Sequence, residues 1–246
     1  MDINPAWYET WFDTPFYHTL YQDRNIAEAE FFLQNLIKSL PISKHHSIMD
    51  IACGRGRHAL YLAAQGFDVT GIDLSPNSIS FAQHQAQERG LNSSFYVHDM
   101  RKAVHKPVDV VLNLFTSIGY FENTHDNTKA IQAFYNNLNP GGVAVIDFLH
   151  APWVKKHWVS KETVTKGGIV FALQRKFEDG WIQKNISFEH KGKPHTFTEK
   201  VRALELTDFQ QICQEVGFTI NKIFGDYKLT PFNTETAERL ILVLQK

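Results

Sequence analysis

Residues 1–24 show no single apolar period but a density of rings: Trp7, Tyr8, Trp11, Phe12, Phe16, Tyr17 and Tyr21. A helical period then sets in. Ile26, Ala29, Leu33, Leu36, Ile37 and Leu40 recur on one face, with Asn25 placed to cap, Glu28 three residues on, and Pro41 as the stop. Ile48 and Met49 predict a short apolar strand ending at Asp50, followed by the turn Cys53-Gly54-Arg55-Gly56. From Arg57, Ala59, Leu60, Leu62 and Ala63 suit a helix with one buried face, which Gly66 ends. Asp68 to Ile72 returns to strand and closes on Asp73. Ser75 as N-cap and Pro76 as first residue open a helix that runs to about Arg89 and stops at Gly90. Ser94–Val97 and the almost wholly apolar stretch from Pro107 to Phe115 predict the next two strands, the latter covered on both faces. A helix around Thr128–Leu138, the turn Asn139-Pro140-Gly141-Gly142 and a strand from Val143 to Phe148 follow.

Between Glu162 and Glu205 the period becomes two. Gly167-Gly168, Asp179-Gly180 and Gly192-Lys193-Pro194 punctuate it, which predicts an antiparallel meander with strands 169–177, 181–190 and 195–204. Thr207 to Gln210 reads as a capping box for a helix through Val216, ended by Gly217. Phe218–Phe224 and Ala237–Leu244 predict a closing strand pair. Strands alternating with helices imply an α/β fold, a doubly wound and mostly parallel sheet with helices on both faces. The expected division is 1–40 as an aromatic cap and helix, 41–150 as a ligand-binding core, 151–205 as an inserted antiparallel sheet, and 206–246 as the helix and strands that complete the core.

Composition narrows the picture in three ways. The chain of 246 residues is 43% hydrophobic and carries a net charge of −1, so it can bury a sizeable core and shows no basic field for nucleic acid or an anionic membrane. Its two cysteines, Cys53 and Cys213, are far apart and read as reduced thiols. The start lacks a basic-then-apolar leader and no apolar run is long enough to span a bilayer, so a cytoplasmic protein is expected. Residues 151–200 hold ten Lys/Arg against five Asp/Glu. That local excess reads either as solvated edge-strand protection or as a docking face, with dimerisation through this sheet a further expectation.

The chemistry centres on residues 47–73. A glycine turn at the carboxyl end of the first strand, leading into a helix N-terminus, offers free N–H groups and partial positive charge to a carboxylate or phosphate. Asp73 closes the second strand about 20 residues on, where an acid meets ribose hydroxyls. Gly54 to Ala59 fits G-x-G-x-x-A, which dinucleotide sites also use. The run Asp50-Ile51-Ala52-Cys53-Gly54-Arg55-Gly56 resembles motif I of the class I S-adenosylmethionine (SAM)-dependent methyltransferases, with His58 where that family often has a third glycine. Asp73, Asp99 and the Asn139-Pro140-Gly141-Gly142 turn follow in that family's order, so the resemblance covers residues 47–150. Residues 201–246 are similar to the tail of a broad group of bacterial small-molecule methyltransferases.

The resemblance implies a Rossmann-like seven-stranded core that binds SAM and releases S-adenosylhomocysteine, methylating a nitrogen or oxygen of a small molecule by direct displacement. It implies cofactor contacts at Asp50, Ala52, Cys53, Gly54, Gly56, Arg57, Asp73, Leu74, Asp99, Met100 and Asn113, with Asp99 on the adenine amino group. The ends of the strands and the aromatic cap supply acceptor candidates: Tyr17, Tyr21, Phe115, Thr116, Tyr120 and Tyr227, with Arg24 beside them. His150, Tyr120 and Asp226 are the candidate bases. Asn113-Leu114-Phe115-Thr116 departs from the Asn/Asp-Pro-Pro-aromatic sequence of enzymes that methylate exocyclic amines of nucleic acids, so an RNA acceptor is disfavoured. The 12 histidines are scattered, with no H-x-x-x-H or paired C-x-x-C, so no metal is expected. Two rivals stay open: a non-catalytic SAM or nucleotide sensor, and an NAD-dependent oxidoreductase.

Overall fold

The computed structural model describes residues 6–23, 26–104 and 106–246. The capping residue expected at Asn25 and the cap residue Arg24 lie outside the described residues. Two short helices, α1 (Trp7–Trp11) and α2 (Pro15–Leu20), precede the long α3 (Ile26–Ser39). The core alternates β1 (Ser47–Ile51), α4 (Arg57–Ala64), β2 (Asp68–Asp73), α5 (Pro76–Glu88), β3 (Ser93–Val97), β4 (Val108–Asn113), α6 (His125–Asn136) and β5 (Leu138–Leu149). Helix α7 (Ala151–His157) leads into β6 (Lys161–Lys166), β7 (Ile169–Glu178), β8 (Trp181–His190) and β9 (Lys193–Arg202). The chain ends with α8 (Leu206–Val216), β10 (Thr219–Phe224) and β11 (Arg239–Gln245).

Strand order in the seven-stranded sheet is β10-β11-β5-β4-β1-β2-β3. β1, β2, β3, β4 and β5 pair in parallel, while β11 runs antiparallel to β5 and β10. The order reverses between β1 and β4, the place where open α/β sheets bind ligands beyond the strand ends. The apolar strands earn their continuous hydrophobicity by facing two cores. Val111, Ala144, Ile146, Leu240 and Leu242 join α6 and α8 on one face. Val110, Leu112, Val145, Ile241 and Val243 join α3, α4 and α5 on the other.

The aromatic segment has its own core. Trp11 and Leu20 pack with Ile169, Phe171, Leu173, Ile186 and Phe188 on one face of the four-stranded antiparallel sheet β6-β7-β8-β9. Trp11 is 1% exposed and lies 4.5 Å from Phe197, ring centre to ring centre. Thr14 caps α2 by accepting from the Tyr17 N–H at 3.1 Å, and Pro15 begins it. The turn between α1 and α2 is fastened to the start of α5: Asp13 Oδ1 accepts from Ser75 Oγ at 2.5 Å and Asn77 N at 3.1 Å, and Oδ2 accepts from Asn77 Nδ2 at 2.9 Å.

Four details differ from the sequence reading. The inserted meander has a fourth strand, β6, because Gly167-Gly168 turns a hairpin that needs a partner before it. Residues 151–157, assigned no element, form α7. The box that starts α8 is Glu205 with Asp208, the Glu205 N–H donating to Asp208 Oδ2 at 2.7 Å, not Thr207 with Gln210. Strand β5 begins at Leu138, so Asn139-Pro140-Gly141-Gly142 lies inside it as an irregularity. Among the described residues no helix is long and apolar enough to cross a membrane.

Gly71 is fixed by space alone. A Cβ there would lie 2.5 Å from the Phe95 ring and 2.9 Å from Cys53 Sγ. Gly71→Ala is therefore expected to destabilise the protein by roughly 1–3 kcal/mol, as overpacking does. Urea denaturation checks it; an unchanged midpoint would remove this packing argument.

Candidate active site

The turn after β1 is built from backbone angles that side chains resist. Ala52, Gly54 and Gly56 have φ of 61°, 55° and 79°, which glycine adopts freely and alanine does not. Cys53 N donates to Ile72 O at 3.0 Å, tying the turn to β2. Asp73 then organises both sides. Its Oδ2 accepts from Gly54 N and its Oδ1 from Ser75 N, each at 2.8 Å. Burial raises the Asp73 carboxyl above the usual carboxylate range, and the N–H groups of Ser75, Gly54 and Leu74 pull against that rise. Asp50, 1% exposed, stands behind the turn with Oδ2 unpartnered. Burial first, and then the charge of Asp73, push its carboxyl up to about 7, against the pull of Arg57 and the Ala59 N–H.

A cavity of about 600 Å³ opens above this turn. Ala52, Cys53, Gly54 and Arg57 form its floor with Asp73 and Leu74, and His98, Asp99 and Met100 close one side. Phe115, Ser117 and Tyr120 enter from the end of β4, and Trp7, Tyr8, Phe12, Tyr17 and Tyr21 cover it from the cap. Glu199 and Val201 complete the wall from β9. Nothing stands within 4 Å of a Cβ built on Gly54, so the backbone of the turn is open to a ligand.

The segment after β4 is held against its own preference. Phe115 and Thr116 have φ of 64° and 56°, a conformation that costs on the order of 1–3 kcal/mol for such residues and needs support from its surroundings. Asp147, 1% exposed, supplies it. Its Oδ2 accepts from Phe115 N at 2.8 Å and from Tyr227 Oη at 3.1 Å, and its backbone oxygen accepts from Thr116 N at 2.9 Å. Arg239 Nε donates to Asp147 Oδ1 at 2.8 Å, and Nη2 to Thr116 Oγ1 at 3.0 Å. Across the β5–β11 pair Asp147 faces Ile241 and Leu149 faces Arg239, so acid and base lie diagonally on one face. Burial, and then Asp147, raise the Tyr227 hydroxyl above its ordinary pKa. The Phe115 ring so placed lies 5.0 Å under the Arg57 guanidinium.

The other expected residues sort by location. Ala52, Cys53, Gly54, Arg57, Asp73, Leu74, Asp99, Met100, Phe115, Tyr120, Tyr17 and Tyr21 line the cavity. Asp99 does so while engaged: it accepts from Arg101 Nη2 at 2.7 Å, from Nε at 3.0 Å and from Arg101 N at 2.9 Å. Burial raises its carboxyl, but the bonds and charge of Arg101 outweigh that and hold it low. The adenine contact implied for Asp99 therefore competes with Arg101, which also reaches Asp126 at 2.9 Å.

Asp50, Gly56, Asn113, Thr116, Tyr227, His150 and Asp226 do not reach the cavity wall. Gly56 serves packing, since its Cβ would sit 3.1 Å from Ala82 and Phe95. Asn113 Nδ2 donates to Ile51 O at 3.0 Å and staples β4 to β1. Thr116 and Tyr227 belong to the Asp147 network. His150, a candidate base, has its Nδ1 2.7 Å from Ala237 O, in a 7% exposed position. Asp226 is a turn residue, accepting from Lys228 N at 2.9 Å and Thr230 N at 3.0 Å.

Sequence reasoning missed Glu199, Asp147 and Arg239. Asp147 had a signal, a lone acid in the apolar run Val143–Leu149; Glu199 had none. Among the described residues no three His, Cys, Asp or Glu side chains cluster to hold a metal ion.

Two expectations follow from these buried charges. Arg239→Met strands Asp147 in the core, which is expected to cost about 3–5 kcal/mol, measured by urea denaturation; a loss under 1 kcal/mol would mean that Asp147 is satisfied without it. Asp50, with a folded-state value of about 7 against an ordinary 3.8, favours the folded state most below about pH 4, and that contribution is lost as pH rises to 7. Asp50→Asn should therefore flatten the decline of stability between pH 4 and 7, and an unaltered slope in thermal melts would count against it.

Residues 48–142 match the family model described as a methyltransferase domain. A relative from Geobacillus sp. (strain WCH70), named only as a methyltransferase, is 23% identical over 239 residues, 91% of this chain and 96% of its own. The glycine/sarcosine N-methyltransferase of Halorhodospira halochloris is 26% identical over 85% of this chain and 78% of its own. The structure of the CcbJ methyltransferase from Streptomyces caelestis superposes with a TM-score of 0.78 at 14% identity, over 96% of this chain and 98% of that one, a likeness of fold. Residues 48–142 thus match a methyltransferase domain, and the Gly54 turn, the acid at Asp73 and the strand order of the sheet give the chain the class I, Rossmann-like fold that SAM-dependent methyltransferases share.

Proposed function

We propose that the chain methylates a nitrogen or oxygen of a small molecule held between the Gly54 turn and the aromatic cap, with SAM as donor and no metal. The observation that carries this is Asp73. It fixes Gly54 and Ser75 through their N–H groups while lining the cavity, where a carboxylate can accept from ribose hydroxyls. The Arg57 guanidinium in the same wall suits a ligand carboxylate. The donor, when bound, supplies a methyl group on a positively charged sulfur, and S-adenosylhomocysteine remains.

The protein's part is then alignment and exclusion of water, which together account for much of a displacement's barrier. Phe115, held by Asp147, gives the acceptor a rigid edge. Tyr120, whose hydroxyl donates to Thr116 O, braces the same segment and lines the cavity from that side. Trp7, Phe12 and Tyr17 cover the space between. The relative from Halorhodospira halochloris is named for methylation at nitrogen, in keeping with this reading. The reading also includes a cytoplasmic location, since neither buried cysteine forms a disulfide, and a homodimer through the four-stranded sheet, which sedimentation velocity checks.

Asp73→Ala should weaken SAM binding by about 1.5–3 kcal/mol, the range for hydrogen bonds to a charged group, read by calorimetric titration. Unchanged affinity would take the ribose contact away from Asp73.

A further inference from the structure

Resting on that reading, we propose that Glu199 selects the methyl acceptor and that the acceptor is an amine. In β9 alternate residues share a face. Phe197 packs on Trp11 and Val201 lines the cavity, so Glu199 between them is turned to the cap and the cavity. Its carboxylate is held from three directions. Trp11 Nε1 donates to Oε1 at 2.8 Å, Tyr21 Oη lies 2.7 and 2.8 Å from the two oxygens, and Lys184 Nζ is 3.2 Å from Oε2. A carboxylate offers about four acceptor sites. The four contacts here, two at each oxygen, come from three donors, the single Tyr21 proton being shared between two of them. Glu199 can therefore take one more N–H from a ligand in the cavity it lines.

Among the described residues the acids of the wall are Glu9 from the cap, Glu199 from β9, Glu30 from α3, and Asp73 and Asp99 from the strand ends; the cap and β9 thus bring two charged side chains, both acidic. The arginines of the wall, Arg55, Arg57 and Arg89, come from the turn, α4 and the end of α5. Lys184 pairs with Glu199 across the β8–β9 ladder but does not reach the wall. The rest of the acceptor end is rings: Trp7, Tyr8, Phe12, Tyr17 and Tyr120. A carboxylate among aromatic faces favours a group with N–H donors and positive charge over an alcohol. The bound ammonium first gives one proton to water; the neutral nitrogen then donates one N–H to Glu199 and uses its lone pair to form the N–C bond. The S–C bond electrons stay on sulfur, and the new ammonium stands beside Glu199 until its proton passes to water.

The test uses the intact protein with SAM and three matched pairs: cyclohexylamine and cyclohexanol, benzylamine and benzyl alcohol, glucosamine and glucose. S-adenosylhomocysteine release is expected to rise with the amines by at least about tenfold over the alcohols, one charge-assisted hydrogen bond's worth. Glu199→Gln is expected to lower kcat/KM for the best amine by about the same factor while leaving calorimetric SAM affinity unchanged. Alcohols matching amines, or no amine raising the rate, overturns the proposal whatever the variant does. Failure of the wild-type protein to bind SAM overturns the reading beneath it instead, so the two failures are told apart by the titration.

Discussion

A carboxylate in the middle of an apolar strand must have its acceptor sites met, and Asp147 meets its own from Phe115 N, Tyr227 Oη and Arg239 Nε while its backbone oxygen takes Thr116 N. Phe115, Thr116, Tyr227 and Arg239 come from three segments far apart in sequence, and each is fixed through this one residue. The interaction is diagonal across β5 and β11, the one antiparallel strand next to the parallel series, so the reversal of β11 is what brings Arg239 within reach. Without the pair, Phe115 and Thr116 would relax from their left-handed angles, and the ring that faces the cavity would move with them. Tyr227 extends the network outward by stacking on Phe32 of α3 at 4.4 Å, so the helix that leads into β1 also bears on the site.

The two halves of the cavity were not equally legible. The floor is local: turn, helix and Asp73 lie within residues 47–75, where glycine angles, capping and strand period are written in neighbouring positions. The alternation of strands and helices was legible in the same run of apolar segments. The acceptor wall is non-local, since Glu199 meets Trp11 from 188 positions away and no spacing announces such a meeting. His150 reads as a candidate base from its place at the exit of β5, while its ring meets Ala237 and Phe232, neighbours set by the closing loop rather than by adjacent residues. Asp99 shows the intermediate case, correctly placed at the cavity by its strand but engaged by Arg101, two residues on, in a way the motif does not specify.

Charge is mixed around the cavity. The wall holds Arg55, Arg57 and Arg89 from the turn, α4 and the end of α5, with Asp73 and Asp99 from the strand ends beside them, while the cap and β9 bring Glu9 and Glu199. The net charge of the whole chain, −1, does not show this mixture of both signs around one cavity.

Trp11 carries a mechanical consequence. Its side chain is as buried as the central strands, yet its partners are in the inserted sheet rather than in the seven-stranded one. Peeling the cap from that sheet would expose on the order of 150–250 Å² at Trp11 alone, about 4–6 kcal/mol at ~25 cal/mol per Å². The cap and the insert are thus joined through a shared core. The cap is also tied to the parallel-sheet side, by Trp7 and Phe12 on Tyr120, Tyr8 on Phe121, and the Asp13 contacts to Ser75 and Asn77. Residues 7–20 therefore act as a seam between the two sheets, holding residues inserted late in the chain against the strands that precede them.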